Sequence, residues 1–198
     1  RLHRDGLAIA SELGMWAEAA DRLSGLGRIA MLRDDHNTAR ELHERARSSA
    51  AEHGFRAGEI YAVTGLGLTA RRAGRLQDAK DHLLEAAAWY RRTGGAPGYA
   101  TVLVELGHLA ECNGGTGIAH FEEALVAARR IGDTRSEAAA LVGVAGSQLR
   151  EGRLEAAAER LDAAARLRGD DPVPPADRAD LERITEAVRM PASTTNRM

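Results

Sequence analysis

The sequence is poor in cysteine and has no long apolar run. Cys112 is the one cysteine among 198 residues. A lone cysteine excludes an internal disulfide framework and fits a reducing compartment, so we expect a cytoplasmic protein. No stretch approaches the roughly 18 apolar residues of a transmembrane helix, so no membrane partner is expected. The net charge of -2 and the pI of about 6.4 give no indication of direct nucleic-acid binding.

The chain opens with RLHRDGLAIASELG, which lacks an initiator methionine. It also lacks the charged-then-apolar order of a signal peptide. We therefore interpret Arg1 as a boundary or as the residue that follows an excised start.

Small residues recur along the chain at spacings of 40, 40 and 38 residues. The first recurring position is Gly14, Gly54, Gly94 and Gly132, the second is Gly27, Gly67, Gly107 and Ala145, and the third is Asp34, Gly74, Gly114 and Gly152. A fixed period of this length is the signature of a repeat architecture, which spreads its core along one dimension.

Each repeat is predicted to be a pair of helices joined by a tight turn. Apolar residues fall at i, i+3, i+4 and i+7, the stripe of a helix with one buried face, and no strand-like alternation is sustained. The sequence therefore predicts an all-α fold. The helices are expected at about 17–32 and 36–52, 57–72 and 76–92, 97–112 and 117–130, and 135–150 and 154–168.

Both ends of the array are expected to differ from its interior. Residues 2–13 carry Leu2, Ile9 and Leu13 on one helical side and are predicted to form a half repeat. After GDDPVPP, Pro175 is expected to open a last helix over 175–190 that covers the fourth repeat. We predict a single domain over 1–190, with repeats at about 14–53, 54–93, 94–131 and 132–169, and a disordered tail at 191–198.

The glycines within helices indicate close packing. A glycine inside a helix costs about 1 kcal/mol relative to alanine. That loss is accepted where a neighbouring helix comes too close for a side chain, so Gly27, Gly67 and Gly107 are expected to face an adjoining helix. Gly74 is expected to end its helix with positive φ, and Asp34 takes the same place in the first repeat.

The third repeat is two residues short, and the deletion falls in Gly114-Gly115-Thr116-Gly117. We expect the following helix to start late. A phosphate-binding loop is the alternative, but the preceding strand and the following Lys-Ser/Thr of such a loop are missing.

The Leu-Gly pair of the first helix, the glycine turn, and the Ala-x3-large-x2-Ala of the second helix resemble the tetratricopeptide repeat in its form of about 40 residues. The match covers residues 14–168. The usual tryptophan of the first helix is replaced by Leu23, Val63, Leu103 and Leu141. The resemblance implies a right-handed superhelix of four helical hairpins, with an N-terminal half repeat and a C-terminal capping helix.

A second resemblance is carried by three sequence segments, GRLQDAKDHLLEAAAWYRRTG, HFEEALVAARRIGD and DDPVPPADRADLERITEAVR. These segments look like the C-terminal repeat region of large actinobacterial transcription regulators, of the Streptomyces antibiotic regulatory and LuxR-like ATPase types. The resemblance implies a non-catalytic region that senses a ligand or partner and restrains a nucleotide-hydrolysing switch. Neither a helix-turn-helix nor a G-x4-G-K-[ST] motif is present in this sequence.

Few residues suggest chemistry. His108 and Cys112 stand i, i+4 on one predicted helix, and His120 is near in sequence. Three such ligands suit zinc, but nothing supplies a fourth, so no metal site is predicted. No Ser-His-Asp or Cys-His pairing can be assigned, so we predict no catalysis and no cofactor.

The first helix of each hairpin is expected to line a concave groove for a protein segment, a neighbouring regulator domain or a small effector. The alternatives are that several of these side chains only pack within a tight superhelix, and that the protein is a scaffold that self-associates through residues 2–13. The predicted groove residues are Asp21, Ser24, Arg28 and Met31, then Tyr61, Thr64, Leu68 and Arg71, then Thr101, Val104, His108 and Glu111, followed by Ala139, Val142 and Leu149.

Overall fold

The computed structural model describes Ala10 and residues 14–95, 98–173 and 175–189. These ranges hold helices and short turns and contain no strand, which confirms the all-α fold class. In chain order the helices are α1 (Trp16–Met31), α2 (His36–Glu52), α3 (Arg56–Arg72), α4 (Leu76–Arg92), α5 (Gly98–Cys112), α6 (Ile118–Ile131), α7 (Thr134–Arg150), α8 (Leu154–Arg168) and α9 (Pro175–Arg189).

Every one of these helices begins and ends within one residue of its predicted position. The half repeat at 2–13, apart from Ala10, and the tail at 191–198 lie outside the described residues. Ala10 is helical and buried, and its carbonyl accepts a hydrogen bond from the Met15 amide at 2.8 Å.

The chain divides into two compact units, Arg1–Val102 and Leu103–Met198, and the division falls within α5. In the first unit α1 packs on α2, α2 on α3, and α3 on α4, while α1 and α3 also touch. In the second unit α6 packs on α7 and α7 on α8, and α9 lies against both α7 and α8. This is the neighbour-to-neighbour packing of helical hairpins. One domain over 1–190 remains a prediction.

The turn inside each hairpin repeats one hydrogen-bonding scheme. The Arg75 amide donates to the Ala70 carbonyl at 2.9 Å, and the Arg153 amide donates to the Gln148 carbonyl at the same distance. This bond satisfies a carbonyl at the helix end and needs a left-handed residue in the turn. Gly74 supplies it with φ +75°, and Asp34 supplies it with φ +60°. The predicted role of Asp34 is therefore confirmed.

The glycines of the second recurring position face an adjoining helix, as predicted. A β-carbon on each would crowd a side chain of the second helix of the same hairpin: His43 at Gly27 (2.8 Å), Leu83 at Gly67 (2.8 Å) and Phe121 at Gly107 (2.5 Å). Ala145, which replaces glycine in the fourth repeat, is fully buried. The two helices of a hairpin therefore approach closely because one of them carries no large side chain at the crossing.

Candidate binding surface on the first helices

The predicted groove residues of α1 and α3 form a surface with exposed charged and aromatic groups over a buried layer. Asp21 and Arg28 are exposed, and Tyr61 keeps 37% of its surface accessible. Leu68 and Arg71 are half-buried. Because α1 and α3 pack side by side, these groups belong to neighbouring helices of the first unit. We call this set the inner wall.

Other predicted groove residues are buried and support the inner wall from beneath. Ser24, Met31 and Thr64 are 1%, 3% and 6% exposed. Met31 belongs to a small apolar cluster that Leu68 packs against. The Thr64 hydroxyl donates to the Ile60 carbonyl one turn earlier at 2.9 Å. These three residues can position the wall, but little of them is available to a ligand.

Tyrosines gather where α3, α4 and α5 begin or end in the first unit. Tyr90 is buried and hydrogen-bonds with Thr64, and Tyr61 lies close by. Burial raises the pKa of Tyr90, the bond with Thr64 lowers it in part, and Tyr61 raises it further. The Arg91 Nε donates to the hydroxyl of Tyr99 at 3.2 Å. Tyr61 therefore lies close to a buried, hydrogen-bonded tyrosine.

In the second unit, Glu111, one of the predicted groove residues of α5, is engaged by α7. The Glu111 carboxylate accepts a hydrogen bond from the Ser147 hydroxyl at 3.0 Å and pairs with Arg150. His108 Nδ1 lies 3.9 Å from the same carboxylate, and the His108 ring meets the edge of Phe121 at 5.1 Å. Glu111 therefore holds α5 to α7.

The remaining groove predictions fall on mixed surroundings. Val104 is buried, Thr101 is half-buried and Ala139 is exposed. Val142 and Leu149 of α7 pack against a cluster that contains Ile184 of α9. The fourth repeat thus turns part of its predicted groove surface towards α9.

One buried titratable side chain was not anticipated from the sequence. His43 of α2 is 3% exposed, and neither ring nitrogen has a hydrogen-bond partner. Its ring fills a slot between Gly27 of α1 and Gly65 of α3. Burial, and next the charge of Arg28 on the inner wall, lower the pKa of His43 to about 4. The imidazole is therefore neutral near pH 7.

A slot of the same kind, between two glycines, recurs around Phe121. Phe121 of α6 lies between Gly107 of α5 and Gly143 of α7, with both β-carbon positions 2.5 Å from the ring. Gly65 and Gly143 occupy the same frame position, two residues before the second recurring small residue. In both slots, a side chain on the second helix of a hairpin lies between a glycine on the first helix of the same hairpin and a glycine on the first helix of the next hairpin.

The described residues hold no group of three or more His, Cys, Asp or Glu side chains that could bind a metal.

The glycine loop before α6 forms hydrogen bonds within the chain. The Gly115 amide donates to the Ala110 carbonyl at 3.0 Å, and the Ile118 amide lies 3.3 Å from the Thr116 hydroxyl. α6 starts at Ile118, four residues after Gly114 rather than the two seen between Gly74 and Leu76. The expected late start is therefore confirmed.

Among the helices of the described ranges, none combines the length and the apolar character that passage through a bilayer requires.

Comparison with known proteins supports the architecture. No family model and no curated protein matches this sequence. The crystal structure of BtubC (BKLC) from P. vanneervenii is similar, with a TM-score of 0.66 over 87% of this chain and 74% of that chain, at 21% sequence identity. An identity this low shows the fold alone. The chain is therefore similar to a helical-repeat protein in its fold.

Proposed function

We propose that the chain is a non-catalytic binding module built from tetratricopeptide-type repeats, and that the inner wall holds a segment of another protein or domain. The observation that carries the proposal is the exposed set of Asp21, Arg28 and Tyr61 above the buried layer of Ser24, Met31 and Thr64. Tyrosine and arginine are among the residues that most often dominate the binding energy of a protein interface.

The dimensions of the wall suit an extended or helical segment. Tyr61 and Arg71 are ten residues apart on α3, with Leu68 between them, and at 1.5 Å per residue the wall is about 15 Å long. A segment of this length can place an apolar side chain on Tyr61 and Leu68 and a polar one near Arg28 or Asp21. Grooves of this kind bind a short helix or strand mainly through a few anchor side chains of the bound segment.

The setting that we propose is the C-terminal region of a bacterial transcription regulator. The support is the resemblance of the closing segment, DDPVPPADRADLERITEAVR, to regulators of the actinobacterial type. In such a protein the bound segment would come from a neighbouring domain or an effector protein. Binding would then change how the repeats restrain that domain.

Selection from a library of displayed peptides, followed by titration of the selected peptide, tests the proposal. Tyr61→Ala and Arg28→Ala are expected to weaken binding about tenfold or more, as truncation of an interface anchor does. The matched controls are Leu84→Ala and Arg92→Ala, at exposed positions of α4. The controls should change the affinity less than about twofold. Equal losses in both pairs would refute the inner wall as the site.

Self-assembly is a second candidate, because the start of α1 exposes apolar surface. Met15 and Trp16 are 40% and 44% exposed, and one face of Trp16 stacks on His53 with ring centroids 4.6 Å apart. If this patch joins two copies, light scattering will show a dimer whose fraction rises with concentration and falls in Trp16→Ala. A monomer at all concentrations would rule this candidate out.

A further inference from the structure

A polar cleft of about 290 Å³ lies between α2 and α4 of the first unit. α3 packs against both of these helices and supplies the floor of the cleft, Leu66 and Ala70. Each floor residue is two positions from Leu68 of the inner wall, which on a helix of 3.6 residues per turn places the cleft on the opposite side of α3. Its polar lining consists of Asn37, Arg40 and Glu44 of α2, together with Arg75, Asp78 and His82 at the start of α4.

Each wall of the cleft carries an arginine beside a carboxylate. On α2 the Arg40 Nη1 lies 3.9 Å from the Glu44 Oε1, and on the other wall the Arg75 Nε lies 3.2 Å from the Asp78 Oδ2. These four side chains are between 36% and 59% exposed, so solvent screens both pairs. The two positive and two negative charges cancel. A neutral ligand that carries both charges therefore suits the cleft better than a simple anion or cation.

Two further polar groups of the cleft are available to a ligand. Neither the Asn37 amide nor the His82 ring makes a hydrogen bond or an ion pair with any described residue. The amide offers two donors and an acceptor, and an imidazole has two ring nitrogens that donate or accept. The distance of 3.9 Å between Arg40 and Glu44 also exceeds a hydrogen bond, so this pair leaves its donors and acceptors open.

The spacing of the charges indicates the class of ligand. In a free α-amino acid the ammonium nitrogen and the nearer carboxylate oxygen are about 3 Å apart, because only two carbon atoms separate them. The charged atoms of the two pairs in the cleft are 3.9 Å and 3.2 Å apart. An amino acid laid antiparallel to such a pair places each of its charges opposite the complementary one.

The size of the cleft limits the side chain of the ligand. Its volume is at the lower end of the range of about 300–1,000 Å³ that is typical of small-molecule pockets. Leu66 and Ala70 are 5% and 1% exposed, so the floor offers only a small apolar area. An amino acid with a short side chain fits these limits.

We propose that the cleft between α2 and α4 binds a free α-amino acid. The ligand carboxylate accepts hydrogen bonds from Arg40 and from the Asn37 amide, and the ligand ammonium donates to Glu44. The pair of Arg75 and Asp78 forms the facing wall. The site lies away from the inner wall and does not depend on the function proposed for that surface.

A titration of the ¹⁵N-labelled full chain with L-alanine, followed by NMR, tests the proposal. Saturable shifts are expected for backbone amides within residues 37–44 and 75–82. N-acetylalanine lacks the ammonium group and alaninamide lacks the carboxylate, so each should bind at least tenfold more weakly than alanine. Inorganic phosphate, the probe for a simple anion site, should not compete with alanine.

Variants of α2 assign the two ends of the ligand. Arg40→Gln should weaken alanine binding at least tenfold and should bind alanine and alaninamide equally, because the carboxylate has lost its partner. Glu44→Gln should weaken it as much and should bind alanine and N-acetylalanine equally. Glu41→Gln and Arg45→Gln remove the same charges at exposed positions of α2 outside the cleft and should leave the affinity unchanged. Tyr61→Ala should also leave it unchanged, which separates this site from the inner wall.

Three results would overturn the proposal. The first is the absence of a saturable shift with millimolar alanine. The second is an equal loss of affinity in the cleft variants and the control variants. The third is tighter binding of phosphate than of alanine, which would make the cleft an anion site.

Discussion

Alanine at Gly143 should be unfavourable only while Phe121 is present. The added β-carbon would lie 2.5 Å from the Phe121 ring, and Gly107 confines that ring from the other side at the same distance. Phe121 is completely buried, so its ring has no open space to move into. Overpacking of this kind costs about 1–3 kcal/mol, whereas replacing a helical glycine by alanine gains about 1 kcal/mol.

The two effects can be separated with Phe121→Leu. Leucine occupies the corresponding place in the second repeat, at Leu83. In the Phe121→Leu background the alanine should meet less crowding, and the gain in helix propensity should dominate. The coupling energy of the cycle is then the overpacking energy itself, about 1–3 kcal/mol.

Urea unfolding followed by circular dichroism at 222 nm measures all four proteins of this cycle. We expect Gly143→Ala to be neutral or destabilising alone and stabilising with Phe121→Leu. A stabilisation of about 1 kcal/mol in both backgrounds would refute the reasoning, because it would mean that the ring does not occupy the slot between the two glycines.

Two further predictions concern charged groups. Because the folded-state pKa of His43 is about 4, below the ordinary 6.5, its neutral form stabilises the fold fully above pH 6.5, and about 3 kcal/mol is lost as the pH falls towards 4. His43→Leu should remove this dependence in urea unfolding at pH 7 and pH 4, and parallel profiles would contradict the assignment. Glu111→Ala removes the ion pair with Arg150 and should destabilise the chain. The loss should be only about 1 kcal/mol, because Arg150 is half-exposed and solvent weakens the pair. The loss should not add to that of Arg150→Ala, and full additivity would show that the two side chains act independently.

The positions of the helices could be predicted because local signals agree with the repeat. Apolar periodicity marks each helix, and a left-handed residue such as Gly74 or Asp34 ends it through hydrogen bonds to the preceding turn. Neither signal depends on distant parts of the chain. The late start of α6 was predictable for the same reason, since the deletion is visible in the local sequence.

The candidate surface was predictable only in part. Counting along a helix gives the direction of a side chain but not the distance to its neighbour, so the count placed Ser24 and Thr64 in the groove although both are buried. The pairing of Glu111 with Arg150 joins residues 39 positions apart and depends on how α5 meets α7. Gly65 and Gly143 were within reach, because they share a position in the repeat frame.

The central claim is that small residues at matching positions let the two helices of a hairpin nest. The most direct measurement compares the unfolding free energies of Gly67→Leu and Gln77→Leu. A side chain at Gly67 would meet Leu83 at 2.8 Å, so we predict a loss of about 1–3 kcal/mol or more. Gln77 is exposed, and its bond with Asp81 is worth only about 0.2–0.5 kcal/mol, so its replacement should be nearly neutral. Equal effects of the two substitutions would contradict the nested arrangement.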